Sequence, residues 1–275
     1  MTFNRLIRAA LSLRIYGRRG RARGYVFALS LCFLMFVSAG CAQDSTALAG
    51  QSSATKSPQQ SVKQITYVAI GASDTFGLGT YDPYDENWPT DLATLLGPSH
   101  IHLINLGIPG IVTHNVLTLE LPIALDSHPD LITIWLGVND IVANVPANSY
   151  ASDLNTLLAR LRANSPHARI AIANIPDLTL LPFFAEYDPQ LLTQQIQAYN
   201  TIITSAAQQH QAILVDLTQQ NYNLQAHPEY ISSDGLHPTD IGYQQLANLF
   251  YQALKTSFNG ARAGTSPAPT LYGTR

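Results

Sequence analysis

Acidic residues are absent from the first 40 positions of the sequence, and basic residues are scarce in the remainder. The first stretch holds seven of the 15 basic residues, all of them arginine, so 8 basic residues face 18 acidic ones after it. Nucleic acids and other phosphate-rich surfaces are bound through clusters of lysine and arginine. The charge balance therefore predicts that the region after residue 40 has no nucleic-acid partner.

The N-terminus also lacks an apolar run of the ~20 residues that a membrane-spanning helix prefers. Its shorter run, YVFALSLCFLMFVSAGC, follows the arginines and ends in small residues at Cys41. A basic stretch, a short apolar core and a small-residue exit are typical of an export signal. We therefore interpret residues 1–41 as an export signal.

The end of this signal, VSAGC, resembles the bacterial lipobox, whose cysteine becomes the lipidated first residue of the mature protein. The lipobox pattern prefers leucine at the place of Ser38. The resemblance implies that Cys41 carries lipid and anchors the protein to the outer face of a bacterial cell membrane, since each buried acyl methylene contributes about 0.8 kcal/mol. Signal cleavage near Ala39 or Ala42, which gives a secreted protein, and an uncleaved anchor are the alternatives.

Cysteine is scarce, because only Cys32, inside the signal, accompanies Cys41. With Cys41 lipidated, the mature chain has no pair for a disulfide, and its stability must come from a hydrophobic core. About 210 residues are enough to form one. Residues 42–63 are rich in Ser, Gln, Ala and Thr and predict a disordered tether, and residues 259–275 similarly predict a flexible tail. The folded domain is therefore predicted at 64–258.

Five apolar, β-branched runs alternate with helical patterns in this domain. The runs are ITYVAIG (65–71), IHLINLG (101–107), DLITIWLG (130–137), ARIAIANI (168–175) and AILVDL (212–217). Strands that alternate with helices form a parallel sheet covered on both faces. The pattern predicts a three-layer α/β/α fold with a flavodoxin-like, five-stranded parallel sheet, in which ligands bind beyond the carboxyl ends of the strands.

The loop after the first predicted strand, GASDTFGLG, lacks the signatures of phosphate and dinucleotide binding. A phosphate loop needs a glycine where Phe76 stands and a lysine after it, and a dinucleotide loop needs a glycine at Ser73. The nucleophile elbow G-x-S-x-G also fails, because Thr75 occupies the place of its last glycine. What remains is Ser73 among small residues that leave its hydroxyl accessible.

Three other predicted strand ends carry polar or small residues at the same edge of the sheet. These are Gly107 after the second strand, Asn139 and Asp140 after the third, and Asp234 and His237 before the last helix. Taken singly, each has a plainer explanation as a strand end, a helix cap or a surface turn. Together with Ser73 they supply a nucleophile, a base and an acid.

These four blocks resemble the SGNH, or GDSL-type, family of serine esterases and lipases. The family letters match Ser73 in GASD, Gly107 in NLGIPG, Asn139 in GVND and His237 in DGLHP, and the resemblance spans residues 66 to 254. The first block departs from the usual G-D-S, because Ala72 replaces the aspartate. This departure bears on turn bonding and rate rather than on the nucleophile.

The resemblance implies a serine hydrolase in which Ser73 is the nucleophile, His237 the base and Asp234 the acid that orients the imidazole. It also implies an oxyanion hole formed by the backbone N–H groups of Ser73 and Gly107 and the side-chain amide of Asn139. Losing one such donor costs roughly 3–4 kcal/mol.

No metal or other cofactor is expected. His100 and His102 are predicted to share one face of a strand, but no further ligand stands at zinc-like spacing, and we interpret them as rim residues. The segment YDPYDENW (81–88) lacks the glycine and the terminal glutamate of a calcium loop. Asp74 and Asp140, beside the predicted catalytic residues, are expected to cap helices or to support the site.

The segment PDLTLLPFFAEYDPQ (176–190) follows the fourth predicted strand at the edge of the site. Leu181, Phe183 and Phe184, together with Asp74, are candidates to line the substrate pocket, and ordinary packing under a long loop is the alternative. An apolar pocket favours lipid or aryl esters, whereas a polar one favours acetylated sugars.

We therefore expect an exported esterase that hydrolyses carboxylic esters through an acyl-enzyme on Ser73, with a small-molecule ester as its partner. The resemblance implies no single substrate, since the family includes lipases, lysophospholipases, thioesterases and carbohydrate deacetylases. Two alternatives stay open: an exported binding protein without turnover, and an acyltransferase.

Overall fold

The computed structural model describes residues 64–218 and 222–263, with side chains up to residue 255. The predicted export signal with Cys41, the predicted tether and residues 264–275 of the predicted tail lie outside the described residues. Within those ranges, no helix combines the length and the apolar character that spanning a bilayer requires.

Five strands form one parallel sheet in the described residues. They are β1 (Ile65–Gly71), β2 (Ile101–Asn105), β3 (Leu131–Trp135), β4 (Arg169–Ala173) and β5 (Ile213–Val215), in the order β2-β1-β3-β4-β5. This is the strand order of flavodoxin-like folds. The predicted three-layer fold is confirmed, and each strand lies within the apolar run that predicted it.

Helices cover both faces of the sheet. They are α1 (Ser73–Phe76), α2 (Trp88–Leu96), α3 (Thr113–Leu119), α4 (Leu121–Asp126), α5 (Val138–Val142), α6 (Ala147–Asn164), α7 (Pro189–Gln209) and α8 (Asp240–Ala263). Single 3-10 turns form at Pro98–His100, Leu178–Leu180, Pro182–Phe184 and Pro228–Tyr230. α8 continues past the predicted domain end at residue 258, because no proline stops it before Pro267.

Aromatic pairs join the helices within each layer. Trp88 of α2 stacks on Phe250 of α8 with ring centroids 4.4 Å apart. Tyr150 of α6 stacks on Tyr199 of α7 at 4.3 Å. Such pairs add roughly 0.5–1.5 kcal/mol beyond the area they bury, so they help to hold each pair of helices together.

The strand order reverses at β1, which has β2 on one side and β3 on the other. In open parallel sheets, ligands bind in the crevice beyond the strand ends at such a point. Gly71 at the end of β1 pairs with Trp135 at the end of β3, and Trp135 pairs with Ala173 of β4. The segments that follow these strands therefore leave the sheet at one common edge.

Candidate active site

Ser73, His237 and Asp234 form a continuous hydrogen-bonded row at this edge. The Nε2 atom of His237 lies 2.8 Å from the Ser73 Oγ atom. The Nδ1 atom of the same ring lies 2.6 Å from the Asp234 Oδ2 atom. Both distances are within hydrogen-bond reach, so the imidazole is held between a hydroxyl and a carboxylate. The structure thus brings together the three residues that the sequence predicts as nucleophile, base and acid.

The turn before α8 holds Asp234 in this position. Its Oδ1 atom accepts hydrogen bonds from the Leu236 N–H (2.8 Å), the His237 N–H (2.9 Å) and the Ser232 hydroxyl (2.8 Å). Burial alone would raise the pKa of Asp234, but the bonds from His237 and the turn outweigh it and lower that pKa to about 2. The carboxylate therefore stays ionised and accepts a hydrogen bond from the Nδ1–H group of His237. Ser232, which the sequence analysis missed, is part of this support.

Ser73 begins the short helix α1 directly after β1. The Phe76 N–H donates to the Ala72 carbonyl (3.0 Å), and the Gly77 N–H donates to the Ser73 carbonyl (3.0 Å). Gly77 adopts φ 110° and ends the helix there. The tight turn exposes the start of α1 to the crevice, and none of the hydrogen bonds between described residues uses the Ser73 N–H.

A buried glutamate that the sequence analysis missed holds the end of β1. Glu120, at the junction of α3 and α4, is fully buried, and its Oε2 atom accepts the Gly71 N–H at 3.0 Å. Its Oε1 atom has no hydrogen-bond partner among the described residues. Burial raises the pKa of Glu120 to about 8, although the Gly71 N–H lowers it, and the nearby Asp74 charge raises it further. The strand end next to Ser73 is therefore bonded to a carboxyl group that is mostly protonated at neutral pH.

Asn139 and Asp140 both tie the start of α5 to the segment after β2. The Asn139 Nδ2 atom donates to the Ile111 carbonyl at 2.9 Å. The Asp140 carboxylate accepts from the Thr113 N–H (3.1 Å) and from the Thr113 hydroxyl (3.0 Å) at the start of α3. The bonds to Thr113 confirm the supporting role expected of Asp140. The Asn139 amide has a second N–H, which its bond to Ile111 leaves for a ligand.

The Gly107 N–H, a predicted oxyanion donor, is already engaged. It donates to the Asn105 Oδ1 atom at 3.0 Å, while the Asn105 Nδ2 atom donates to the Thr75 carbonyl at 2.7 Å. A Cβ at Gly107 would lie 2.4 Å from the Phe76 backbone nitrogen. Gly107 therefore packs closely against the turn that carries Ser73, and an oxyanion would have to displace Asn105 to reach its N–H.

Gly110, three residues further, has a different environment. It lies in a turn closed by a bond from the Ile111 N–H to the Ile108 carbonyl (3.2 Å), with Pro109 before it and φ +79°. That φ is typical of the third residue of a type II turn, a position that favours glycine. Gly110 is exposed, and a Cβ there would meet no atom within 4 Å. None of the hydrogen bonds between described residues uses its N–H.

A small cavity opens beside Ser73 and His237. Its walls come from the ends of β1 and β3 and from the segments after β4 and β5. Of the predicted pocket residues, Asp74 and Leu181 line it. Phe183 and Phe184 do not, because successive turn positions send Phe184 into the core and leave Phe183 exposed. Leu178, Tyr222, Leu224 and Tyr230 are lining residues that sequence analysis missed.

Phe183 nevertheless contributes through its backbone. Its N–H donates to the Gly235 carbonyl at 3.1 Å. Gly235 lies in the turn that carries Asp234 and His237. The segment after β4 is thereby bonded to the turn before α8 that carries Asp234 and His237.

Comparison with known proteins finds relatives of this chain. A family model described as the GDSL-like lipase/acylhydrolase family matches residues 69–245. An arylesterase of Vibrio mimicus is 26% identical over 184 residues, which are 66% of this chain and 84% of that protein.

Two solved structures share the fold. The lipase/acylhydrolase from Enterococcus faecalis has a TM-score of 0.58 and 19% identity over 70% of this chain and 97% of that one. The family 3 carbohydrate esterase of Clostridium thermocellum has a TM-score of 0.57 and 22% identity over 72% of this chain and 99% of that one.

Proposed function

The chain belongs to the GDSL-like lipase/acylhydrolase family and is an ester-hydrolysing enzyme, and from this premise we propose that it works through an acyl-enzyme on Ser73. The contact of 2.8 Å between the Ser73 Oγ atom and the His237 Nε2 atom carries the proposal. A serine hydroxyl is a weak nucleophile unless a base takes its proton during attack. His237 is the base within hydrogen-bond reach.

In the first half-reaction, the Ser73 Oγ atom bonds to the ester carbonyl carbon and its proton moves to the His237 Nε2 atom. The carbonyl electron pair moves onto oxygen and returns when the bond to the leaving alkoxide breaks. The imidazolium then gives its proton to that alkoxide, which leaves as the alcohol. Water repeats the sequence on the acyl-enzyme and releases the acid. Asp234 holds the ring in one tautomer and stabilises the imidazolium.

The oxyanion needs donors that already point at it. We assign this role to the N–H groups of Ser73 and Gly110 and to the Asn139 side-chain amide. Gly110 replaces Gly107 in this assignment, because the Gly107 N–H is bonded to Asn105 whereas the Gly110 N–H is exposed. The bond from Asn139 to the Ile111 carbonyl brings its amide beside the residue that follows Gly110.

The mostly apolar walls of the cavity support a small-molecule ester with an apolar portion as the substrate. The carbohydrate esterase that shares the fold and the arylesterase that is related in sequence are named for esters with different leaving groups. We propose esters of short or medium acyl chains, since the cavity is small and Leu181 and Tyr222 are among its walls.

The test combines turnover with mass analysis. Incubation with an activated short-chain ester should release a burst of alcohol and add the acyl mass to a peptide that contains Ser73. The Ser73→Ala variant should show neither. Hydrolysis that continues at the wild-type rate in Ser73→Ala would exclude the acyl-enzyme on Ser73 while leaving the esterase activity. Added acceptor alcohols would divert the acyl group only if transfer competes with hydrolysis.

We also propose, from the sequence pattern alone, that the protein is exported and is anchored through lipid on Cys41. In cells that process lipoproteins, the mature protein should begin at Cys41 and carry the mass of acyl chains. A Cys41→Ala variant should lose this mass. A mature N-terminus at another residue, without lipid, would contradict the anchor but not the esterase.

A further inference from the structure

Asp74 brings an acidic side chain into the cavity next to the proposed nucleophile. The residue is half-buried and lines the same cavity as Ser73 and His237. Its Oδ1 atom accepts the Thr75 N–H at 2.7 Å. Among the described residues, no side chain donates a hydrogen bond to its carboxylate, and no lysine or arginine pairs with it. The carboxylate is therefore bonded to backbone only.

An acidic group in apolar surroundings is stable only where hydrogen bonds or opposite charge offset its lost hydration. Burial raises the pKa of Asp74 to about 6, although the Thr75 N–H and the charge of His237 lower it. Most of the cavity around Asp74 is apolar, with Leu178, Leu181 and Leu224 among its walls. A donor that arrives with the ligand would complete the bonding of this carboxylate.

Two tyrosines extend the polar side of the same cavity. Tyr222 and Tyr230 both line it, and their rings stack with centroids 6.0 Å apart. Burial raises the pKa of Tyr222 well above its ordinary value, and the Asp74 charge raises it further, so the phenol and the carboxylate act on each other. None of the hydrogen bonds between described residues uses the Tyr222 hydroxyl. The cavity thus combines apolar walls with a few convergent polar groups, as ligand sites do.

We propose that Asp74 determines specificity by binding a hydrogen-bond donor, an O–H or N–H group, on the ester that enters the cavity. The proposal rests on the proposed ester hydrolysis and narrows its substrate to hydroxylated or ammonium-bearing esters. A site built to bond a substrate O–H or N–H rejects the analogue without it, because the polar group of the site is then left unpaired. A donor to a charged acceptor is worth roughly 10- to 100-fold in this setting.

The experiment compares matched esters that differ by one group. The acyl arm uses p-nitrophenyl butanoate, 3-hydroxybutanoate and 3-aminobutanoate. The alcohol arm uses butyl acetate and 3-hydroxybutyl acetate, followed by acid release. Wild type should favour the donor-bearing ester in one arm by at least about tenfold in kcat/KM, mainly through KM. The arm that shows the preference tells which side of the ester enters the cavity.

The variants separate a direct contact from a structural role. Asp74→Leu should bring the kcat/KM ratio of donor-bearing to plain ester close to one, whatever its absolute rate on the plain ester. Asp74→Asn, which has nearly the same shape, should lose the preference for the ammonium ester and keep part of the preference for the hydroxyl ester. Asp85→Asn removes an exposed carboxylate outside the cavity and should leave every ratio unchanged.

Three results would overturn the proposal. Ratios near one in both arms of wild type would show that no donor is selected. An unchanged ratio in both Asp74 variants would assign the selection elsewhere. Absence of hydrolysis and of acylated Ser73 with every ester would remove the proposed function, and this inference with it, whereas hydrolysis without preference would remove only the inference.

Discussion

The Asn139 side chain bonds the Ile111 carbonyl at 2.9 Å and so joins the helix after β3 to the turn after β2. One amide proton holds that turn, and no hydrogen bond between described residues uses the other. Because Gly110 precedes Ile111, the same bond sets the position of an exposed N–H. The proposed oxyanion hole is therefore assembled from two loops that fix each other.

A phosphonate bound to Ser73 tests this arrangement directly. In a crystal structure of the inhibited enzyme, the phosphoryl oxygen should lie about 2.7–3.1 Å from the Ser73 nitrogen, the Gly110 nitrogen and the Asn139 Nδ2 atom. The bond from the Gly107 N–H to Asn105 should persist. If the phosphoryl oxygen were instead bonded to the Gly107 N–H, and the bond from that N–H to Asn105 were broken, Gly107 would be the oxyanion donor, as the sequence predicts.

Replacement of Asn139 by alanine should lower kcat by roughly 10²–10³ with a smaller change in KM, because its amide bonds the oxyanion more strongly than the ground-state carbonyl. The same change removes the bond to Ile111, so thermal unfolding must be measured beside the kinetics. Equal losses in kcat and in substrate affinity would indicate that the turn has moved rather than that a donor is missing.

Two variants in the turn that carries Asp234 and His237 should lose kcat to different extents. Asp234→Asn should reduce kcat by roughly 10³–10⁴, because an amide no longer fixes the tautomer of His237 or stabilises its cation. Ser232→Ala removes one hydroxyl donor to Asp234 and leaves two backbone donors, so kcat should fall only about tenfold. Steady-state kinetics on one activated ester compare both variants. A Ser232 variant as slow as the Asp234 variant would show that the backbone donors do not suffice.

Glu120 should make stability depend on pH. Its pKa is about 8 in the folded chain and about 4.5 ordinarily. Between these values the folded chain holds a proton that the unfolded chain has released, so stability falls as pH rises, by up to about 1.4 kcal/mol per pH unit. Glu120→Gln keeps an acceptor for the Gly71 N–H and cannot ionise, so its advantage over wild type should grow from pH 5 to pH 8.

Urea unfolding at several pH values measures this difference. The matched control is Glu186→Gln, which removes an exposed carboxylate. Wild type and Glu120→Gln curves that stay parallel across this range would show that Glu120 ionises normally.

The proposed selectivity of Asp74 should also follow pH. The groups that act on its charge are His237, Tyr222, Tyr243 of α8 and Glu120. The ratio of kcat/KM for the 3-aminobutanoate and butanoate esters cancels the pH effects on the catalytic steps that both reactions share. With the pKa of Asp74 at about 6, this ratio should fall several-fold as pH drops from 7.5 to 5. In Asp74→Asn it should stay constant, and a wild-type ratio without pH dependence would contradict the contact.

The strands were predictable from local patterns, whereas the roles of Ser73, Asp234 and His237 were predicted from the resemblance to the SGNH family. Each strand is a continuous apolar run, and parallel strands bury both faces, so period and composition suffice to find them. Asp234 and His237 lie three positions apart in one turn, and their contact follows from that spacing. Once the strand ends are known, the position of Ser73 opposite them follows from the sheet.

The features that could not be predicted depend on backbone conformation and tertiary packing. The sequence NLGIPG contains two glycines, and the sequence alone does not distinguish their roles. In the structure β2 ends at Asn105, two residues before the predicted strand end, and the Asn105 side chain turns back to bond the Gly107 N–H. Glu120 stands 49 positions from Gly71, and no local pattern announces their bond. Phe183 and Phe184 are equally apolar, and the turn geometry that separates them is set by tertiary packing.

The Ser73–His237 contact spans 164 positions and thus nearly the whole sheet. Turnover can emerge only after β5 is paired and α8 has docked, so recovered activity in a refolding experiment reports completion of the entire domain. A truncation before residue 230 would abolish the reaction however well the first strands assembled. Enzymatic assay is consequently a more stringent gauge of native topology here than recovery of helical signal.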